Sequence, residues 1–480
     1  MKKILFVSSE VFPLAKTGGL ADVSAALPVA LAELGADLRV LLPAYRGLLG
    51  RLEAARRVCS LSVLGRACTV WEGTIPGQPQ PPVWLLECAP LFDRPGDPYH
   101  DAAGVPHADN ALRFGVFGAA AAQLALGRAG AGWQPDALHV NDWQGALACA
   151  WAAQAKPRPR IVFTIHNLSY QGHFGRDSFE ALQLPTAWWH PEALEFWGGW
   201  QFLKAGLNFS DAITTVSPTY AREIQTPEYG HGLDGVLRKN RARLHGVLNG
   251  IDERVWDPAA DPHLSHTYTA ATVVANKRAN KLQLQSDLGL ARDGHVPLLG
   301  FIGRFAEQKG SDLLLEAGEE LAALGVQLVV LGAGERAQEH AWADWAARDP
   351  QQVAVRIGYD EALAHRIEGA ADIALMPSRF EPCGLNQMYS QRYGAIPVVR
   401  RTGGLADTVE DATPEALQAR RASGVLFDDA NVGGVLYGIR RALALRLDAV
   451  AWSSMQQAGM QRDFSWGRAA RRYLQLYETA

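Results

Sequence analysis

Short apolar runs recur along the chain, and most end in small or polar residues. "KKILFVSSE" at the start is one. Uninterrupted apolar positions suit a parallel strand covered on both faces. "LADVSAALPVALAELG" follows on a helical period, and "ADLRVLLPAY" is apolar again, so the chain opens as strand, helix, strand. "ALHVND" (137–142), "RIVFTIH" (160–166) and "DAITTVS" (211–217) predict further strands, and the Ala-rich "GAAAAQLALG" (118–127) a buried helix. A second series begins after "LHGVLNGID" (244–252). Its strands are "VPLLGFIGR" (296–304), "VQLVVLGAG" (326–334), "VAVRIGY" (353–359), "DIALMPS" (372–378) and "AIPVVRR" (395–401), alternating with helical segments such as "SDLLLEAGEELAALG".

Strands alternating with helices twice over predict an α/β protein with two doubly wound parallel sheets. The 480 residues exceed one core, since α/β domains run to roughly 100–250 residues. The expected domains are 1–245 and 246–460. A C-terminal segment, 461–480, carries the amphipathic "FSWGRAARRYLQLYE" and is expected to pack back on the first domain.

Composition narrows the partners. The chain is 48% hydrophobic and 20% charged, with net charge -4 and no long like-charge blocks. That excludes the basic face that nucleic acid or an anionic membrane needs. No apolar run reaches the ~18 residues of a membrane span, and "ILFV" is too short for a signal-peptide core. Cys59, Cys68, Cys88, Cys149 and Cys383 are odd in number and form no C-x-x-C pair, so reduced thiols and a cytoplasmic location are expected.

The hexapeptide Thr-Gly-Gly-Leu-Ala-Asp stands at 17–22 and again at 402–407. In doubly wound sheets ligands bind beyond the carboxyl ends of the strands. A Gly-Gly turn there leaves backbone N–H groups bare at a helix N-terminus, which suits an anion. Both turns could face one cleft, or both could be ordinary tight turns. In "MPSRFEPCGLNQMYSQRYGAIPVV" (376–399) a strand ends in a loop with Arg379 and Glu381 before Gly384-Leu385 opens a helix. A carboxylate beside an anion-binding helix end is unfavourable unless it grips something else, such as sugar hydroxyls; the alternative is a capping glutamate. "GRFAEQKG" (303–310) holds Arg304 and Lys309 at a strand end, where two cations can clamp a diphosphate; both are expected to face solvent. "VNDWQG" and "FTIHNLSYQG" bring Asp142, His166 and Asn167 to successive strand ends. Trp188, Trp189, Trp197 and Trp200 crowd one segment; aromatic faces suit sugar rings, although core or lid packing is the blander reading. "GAGERA" (332–337) is an isolated match to a dinucleotide turn. No P-loop, Cys/His metal cluster or Asp-x-Asp pair occurs.

Taken together, these motifs resemble the bacterial glycogen synthase and plant starch synthase family. The likeness runs in order through "KILFVSSEVFPLAKTGGLADV", "RPGDPYHD", "NDWQ", "FTIHNLSYQG", "VSPTYAREI", "GVLNGID", "RFAEQKG", "PSRFEPCGLNQ" and "RRTGGLADTV". It implies a GT-B fold of two Rossmann-like domains with an interdomain cleft. It implies retaining transfer of glucose from ADP-glucose to the non-reducing end of an α-1,4-glucan, with no cofactor and no metal. Carried over residue by residue, Lys16 with Gly18 and Gly19 would reach the diphosphate, and Arg304 and Lys309 would stabilise the leaving ADP. Glu381 would bind glucosyl hydroxyls beside the amides of Cys383, Gly384 and Leu385. The main-chain carbonyl of His166 would face the anomeric carbon. Asp142 and Asn249 would position the glucosyl unit, Tyr359 would stack on adenine, and Tyr99 would lie near the donor.

Gln144 stands where the family often has His, and Asn386 where it often has Thr. Tyr389 occupies the place of the second acid in more distant retaining transferases, which favours same-face attack within an ion pair over double displacement. A UDP-glucose or sucrose-type transferase of the same architecture, and a glucan-binding protein without catalysis, are the rival readings.

Overall fold

The computed structural model describes residues 1–478, and at 78–80 the backbone only. The chain forms two compact units. The first is Met1–Gly250 with the segment from Trp466 onward; the second is Ile251–Ser465. The expected boundary after residue 245 thus falls at Gly250–Ile251, and residues 461–465 stay with the second unit.

The first unit is built on a nine-stranded sheet. Its strands are β1 Lys3–Val7, β2 Asp37–Pro43, β3 Glu53–Val63, β4 Arg66–Ile75, β5 Gln78–Glu87, β6 Ala137–Asn141, β7 Arg160–Ile165, β11 Ala212–Thr215 and β12 Leu244–Gly246. A small antiparallel sheet interrupts the series, with β8 His173–Phe174, β9 Glu195–Phe196 and β10 Gly199–Gln201. The large sheet runs β12-β11-β7-β6-β1-β2-β5-β4-β3. Its centre is parallel, and β6 is buried at every residue, as a strand covered on both faces must be. β3 and β4 form an antiparallel excursion with β5, which the sequence reading passed over. Burial alternates through β4 and the second half of β3, whose first half is exposed, the signature of a half-covered face that a search for continuous apolar runs overlooks.

Helix Trp466–Glu478 packs on helix Gly19–Glu33 and on the sheet. It buries Trp466, Ala469, Ala470, Tyr473, Leu476 and Tyr477. Tyr477 Oη meets Nδ1 of the buried His139 at 2.7 Å. Each large apolar side chain so covered stabilises by roughly 1.5–3 kcal/mol.

The second unit has six parallel strands, β13 Leu298–Ile302, β14 Gln327–Gly332, β15 Val353–Ile357, β16 Ile373–Met376, β17 Ile396–Arg400 and β18 Val425–Phe427. Their order is β15-β14-β13-β16-β17-β18, the dinucleotide-fold order in which succession reverses between the first and fourth strands. The segment read as one helix, 311–325, is two, Ser311–Glu316 and Gly318–Ala323. The glycines of "GAGERA" are there for close packing: a Cβ on Gly332 would lie 1.9 Å from the Gly303 carbonyl, and one on Gly334 2.2 Å from that of Phe305.

Candidate active site

A reversal of strand order leaves a crevice, because the connections on either side leave in opposite directions. In the second unit the reversal lies between β13 and β16. The loop after β13 carries Arg304 and Lys309; the loop after β16 carries Ser378 and Glu381. Lys309 Nζ donates to Glu381 Oε2 at 2.6 Å, and Ser378 Oγ donates to the same oxygen at 3.1 Å. Both bonds fall on Oε2, so Oε1 remains for a ligand. An ammonium has three donors, which leaves two on Lys309. Arg304 is exposed and reaches Gln308 Oε1 at 3.2 Å. The two cations therefore differ: Arg304 faces solvent as expected, whereas Lys309 is paired and its side chain is 25% exposed. Arg379 is bound by both oxygens of Asp312 and serves the loop. Asn386, at the start of helix Asn386–Arg392, donates to the carbonyl of Ile302 at 2.6 Å and so ties that helix to the end of β13.

Cys383, Gly384 and Leu385 lead into this helix, with Gly384 at φ +69. Tyr359 lies past the end of β15, 72% exposed, its hydroxyl bonded to Glu361.

In the first unit the reversal lies between β1 and β6. The loop after β1 brings Glu10, 3% exposed. Its carboxylate accepts from the Thr17 amide at 2.5 Å, the Gly18 amide at 3.1 Å, the Thr17 hydroxyl at 2.6 Å and the Tyr99 hydroxyl at 2.6 Å. Tyr99 also meets Ser9 Oγ at 2.9 Å. Glu10 thus gathers the Lys16–Gly19 loop and Tyr99 into one piece. The residue went unnoticed in the sequence, although a carboxylate at the end of an apolar strand is a signal that could have been followed. Lys16 pairs with Asp22 at 2.8 Å.

After β6, Asp142 adopts φ +50. It is buried and accepts the His166 amide at 2.7 Å. Burial drives its carboxyl up to about 7, against the amides of His166 and Asn167, and Glu10 adds to the rise. Asn141 Nδ2 donates to the Val7 carbonyl at 3.0 Å, which turns its Oδ1 toward His166 Nε2 at 2.9 Å. His166 therefore carries its proton on Nε2, and burial holds its pKa down at about 3. Gln144 is buried beside Asp142 with Oε1 unpartnered. Asn249 follows the edge strand β12 and forms none of these bonds.

The two identical hexapeptides do different work. In the first turn Glu10 takes the amides of Thr17 and Gly18, so these are not bare as expected. In the second, Gly404 N donates to the carbonyls of Glu381 and Pro382 at 3.1 and 3.2 Å. A Cβ on Gly403, at φ +43, would lie 1.8 Å from the Glu381 carbonyl, and one on Gly404 2.0 Å from that of Cys383. The second turn is a backbone seat for the Glu381 loop. Three of the clustered tryptophans are packed: Trp188 on Trp151 and Phe209, Trp189 on Phe179, and Trp200 among Phe174, Phe179 and Phe202. Trp197 is 86% exposed.

No helix among the described residues is long and apolar enough to cross a membrane. No group of three or more His, Cys, Asp or Glu among them is placed to hold a metal ion.

Residues 3–239 match the family model described as starch synthase catalytic domain, and 289–457 that described as glycosyl transferases group 1. The chain is 51% identical to glycogen synthase 1 of Methylococcus capsulatus over 478 residues, covering 100% of this chain and 96% of that protein. It is 51% identical to the glycogen synthase of Thioalkalivibrio sulfidiphilus, covering 99% of each. The catalytic domain of starch synthase IV from Arabidopsis thaliana, solved with ADP and acarbose, superposes with a TM-score of 0.87 at 33% identity, over 99% of this chain and 98% of that one. A sucrose-phosphate synthase from Thermosynechococcus elongatus, at 17% identity and a TM-score of 0.61, shares the fold.

Proposed function

Since the chain belongs to the glycogen and starch synthase family of glycosyltransferases, we propose that it elongates α-1,4-glucans by retaining transfer of glucose from ADP-glucose to the non-reducing end. Its fold is of the GT-B type. The observation that carries the reading is the Lys309–Glu381 bond at the strand-order reversal of the second unit. It puts a cation and an oriented carboxylate where a doubly wound sheet holds its ligand.

The bond between the glucosyl anomeric carbon and the diphosphate oxygen breaks as the carbon becomes cationic and ADP gains negative charge. Lys309, with two donors left, and Arg304 meet that charge. Donors fixed before the reaction need no reorganisation as charge develops. Glu381 Oε1 takes sugar hydroxyls while Oε2 keeps Lys309 aimed. The amides of Cys383, Gly384 and Leu385 lie beside it, and the exposed ring of Tyr359 stacks on adenine. The glucan 4-hydroxyl attacks on the face the leaving group vacates, and its proton passes to the departing phosphate oxygen. For the first unit, the motifs shared with the family assign Lys16, Gly18 and Gly19 to the diphosphate, Tyr99 to the donor, the His166 carbonyl to the anomeric carbon, and Asp142 and Asn249 to the glucosyl unit. The neutral His166 ring is no proton carrier near neutral pH. The reaction needs no cofactor, since these cations take the part a metal would play, and the enzyme works in the bacterial cytoplasm.

Incubation with glycogen and either ADP-glucose or UDP-glucose tests the reading. ADP release with α-amylase-sensitive product supports it. Preference for UDP-glucose moves the donor assignment, and glucan binding without transfer overturns the activity.

A further inference from the structure

Trp197 is the residue that the packing of the first unit leaves unexplained. β9 pairs antiparallel with β10, Phe196 opposite Gly199, so Trp197 and Gly198 are the two central residues of a hairpin turn. Their φ values are +48 and +81. Two positive φ values in succession suit Asn-Gly, Asp-Gly or Gly-Gly; a bulky side chain is disfavoured there. Leu64-Gly65, between β3 and β4, shows the same signs at +47 and +72, but Leu64 keeps its side chain partly covered. Trp197 is 86% exposed, so packing does not offset the strain. Backbone strain that packing does not require gathers at binding sites.

The arm that carries the indole is braced. Glu195 Oε1 accepts the Gly198 amide at 2.9 Å. Buried Lys204 donates to the carbonyls of Glu195 and Pro191. The Phe196 ring stands edge-on to His173 at 5.9 Å. β10 also pairs with β8, which continues the loop that holds His166. Phe174 of β8 packs on Trp143, the neighbour of Asp142, at 6.0 Å. The hairpin is therefore rooted in the floor of the first unit's strand-end cluster.

We infer that Trp197 is a docking platform for an α-1,4-glucan, its indole against the apolar face of a glucose ring at a distance from the residue being extended. The inference rests on the glucan-synthase reading. One exposed ring, edge-on to Phe196 at 6.3 Å, which in turn stands against the exposed His173, suits a single sugar of a hydroxyl-rich ligand; a protein partner would need roughly 800 Å² of surface.

Trp197→Asn tests this, because Asn suits the turn and leaves the fold intact. Glycogen affinity is read by gel electrophoresis in glycogen-containing gels without donor, beside the melting temperature and steady-state kinetics. The expected result is a roughly three- to tenfold weaker glycogen affinity and a matching rise in KM for glycogen, from the loss of one aromatic contact. The melting temperature of Trp197→Asn holds or rises as the turn relaxes, KM for ADP-glucose and the rate at saturating glycogen stay the same, and Trp197→Phe keeps most of the affinity. Unchanged glycogen affinity, or a lower melting temperature that accounts for the loss, overturns the inference. Binding is measured without ADP-glucose, so an error in the donor assignment leaves this test standing.

Discussion

Lys309 Nζ and Glu381 Oε2, 2.6 Å apart, join the loops after β13 and β16 across the point where the second sheet reverses its strand order. Their side chains are 25% and 10% exposed. Each depends on the other: the carboxylate aims the ammonium, and the ammonium compensates a carboxylate that burial would otherwise penalise.

The two cations should therefore answer differently to removal. Lys309→Ala and Arg304→Ala each lower kcat by ~10²–10³, the usual loss for one donor aimed at developing charge. Arg304→Ala leaves the melting temperature unchanged. Lys309→Ala lowers it, because Glu381 loses its partner at a cost of about 1–3 kcal/mol. Added Mg²⁺ rescues neither. Rate measurements and thermal melts decide it; near-normal kcat in both variants, or full activity restored by Mg²⁺, removes the cation-based mechanism.

Glu10→Gln disturbs the first unit in another way. An amide group cannot accept from two backbone amides, a Thr hydroxyl and a Tyr hydroxyl as a carboxylate does. Lys16 and Tyr99 then lose their common anchor. We expect kcat/KM for ADP-glucose to fall by ~10–10², since small misplacement of positioning groups costs that much. In a Lys16→Ala background the same change should cost less than in the native chain, leaving only the part that runs through Tyr99. Additive losses in the double variant would show that Glu10 does not act through the Lys16 loop.

Asp142→Asn should trade activity for stability, with a definite pH dependence. Burial pushes the native carboxyl up to about 7, well above the ordinary carboxylate range. The native state thus holds its proton more tightly than the unfolded chain, so stability falls as pH rises from about 4 to 7 and levels off above. Asn removes that cost and tolerates the positive φ. The variant should gain ~1–3 kcal/mol at pH 8 and little at pH 4. Melts at both pH values measure the difference; equal effects at the two would refute it.

The repeated hexapeptide offers a paired test. Gly18 and Gly19 have nothing within 4 Å of an added Cβ, so Ala at either place keeps the fold. Gly404→Ala drives a methyl into the Cys383 carbonyl, and Gly403→Ala adds a positive φ to a similar clash; both should prevent stable folding of the second unit. Circular dichroism and soluble yield compare them. A well-folded Gly404→Ala would mean that the Glu381 loop can move aside.

Continuous apolar runs made β1, β2, β6, β7 and β11 of the first sheet and β13–β17 of the second legible, because burial on both faces leaves only the hydrophobic letters; the parallel strands β5, β12 and β18 were not read. The alternating strands β3 and β4 lack that signature and were missed. Lys309, Glu381, Asp142 and His166 were found because strand-end polar residues stand out against apolar runs. Their bonds were not: nothing in the spacing of Lys309 and Glu381 shows that they pair, since the contact depends on β13 and β16 lying side by side. Glu10 escaped for the same reason. Its partners Thr17 and Tyr99 are joined to it by folding, and a lone glutamate after a strand reads as surface. The identical turns misled in the opposite direction, since equal letters suggested an equal role for amides that meet a side chain in one place and a neighbouring backbone in the other.

Helix Trp466–Glu478 belongs to the unit that begins at Met1, yet it is synthesised after the whole of Ile251–Ser465. At ~5–20 residues per second a ribosome takes about 10–40 s to make the intervening segment. During that time the face of helix Gly19–Glu33 that helix Trp466–Glu478 will cover is bare, and His139 lacks its Tyr473 and Tyr477 partners. The second unit has all its strands before the first has its last helix, so the usual order of maturation is inverted. The nascent first half waits with an apolar surface open, which makes it the part of the molecule a chaperone has most reason to hold.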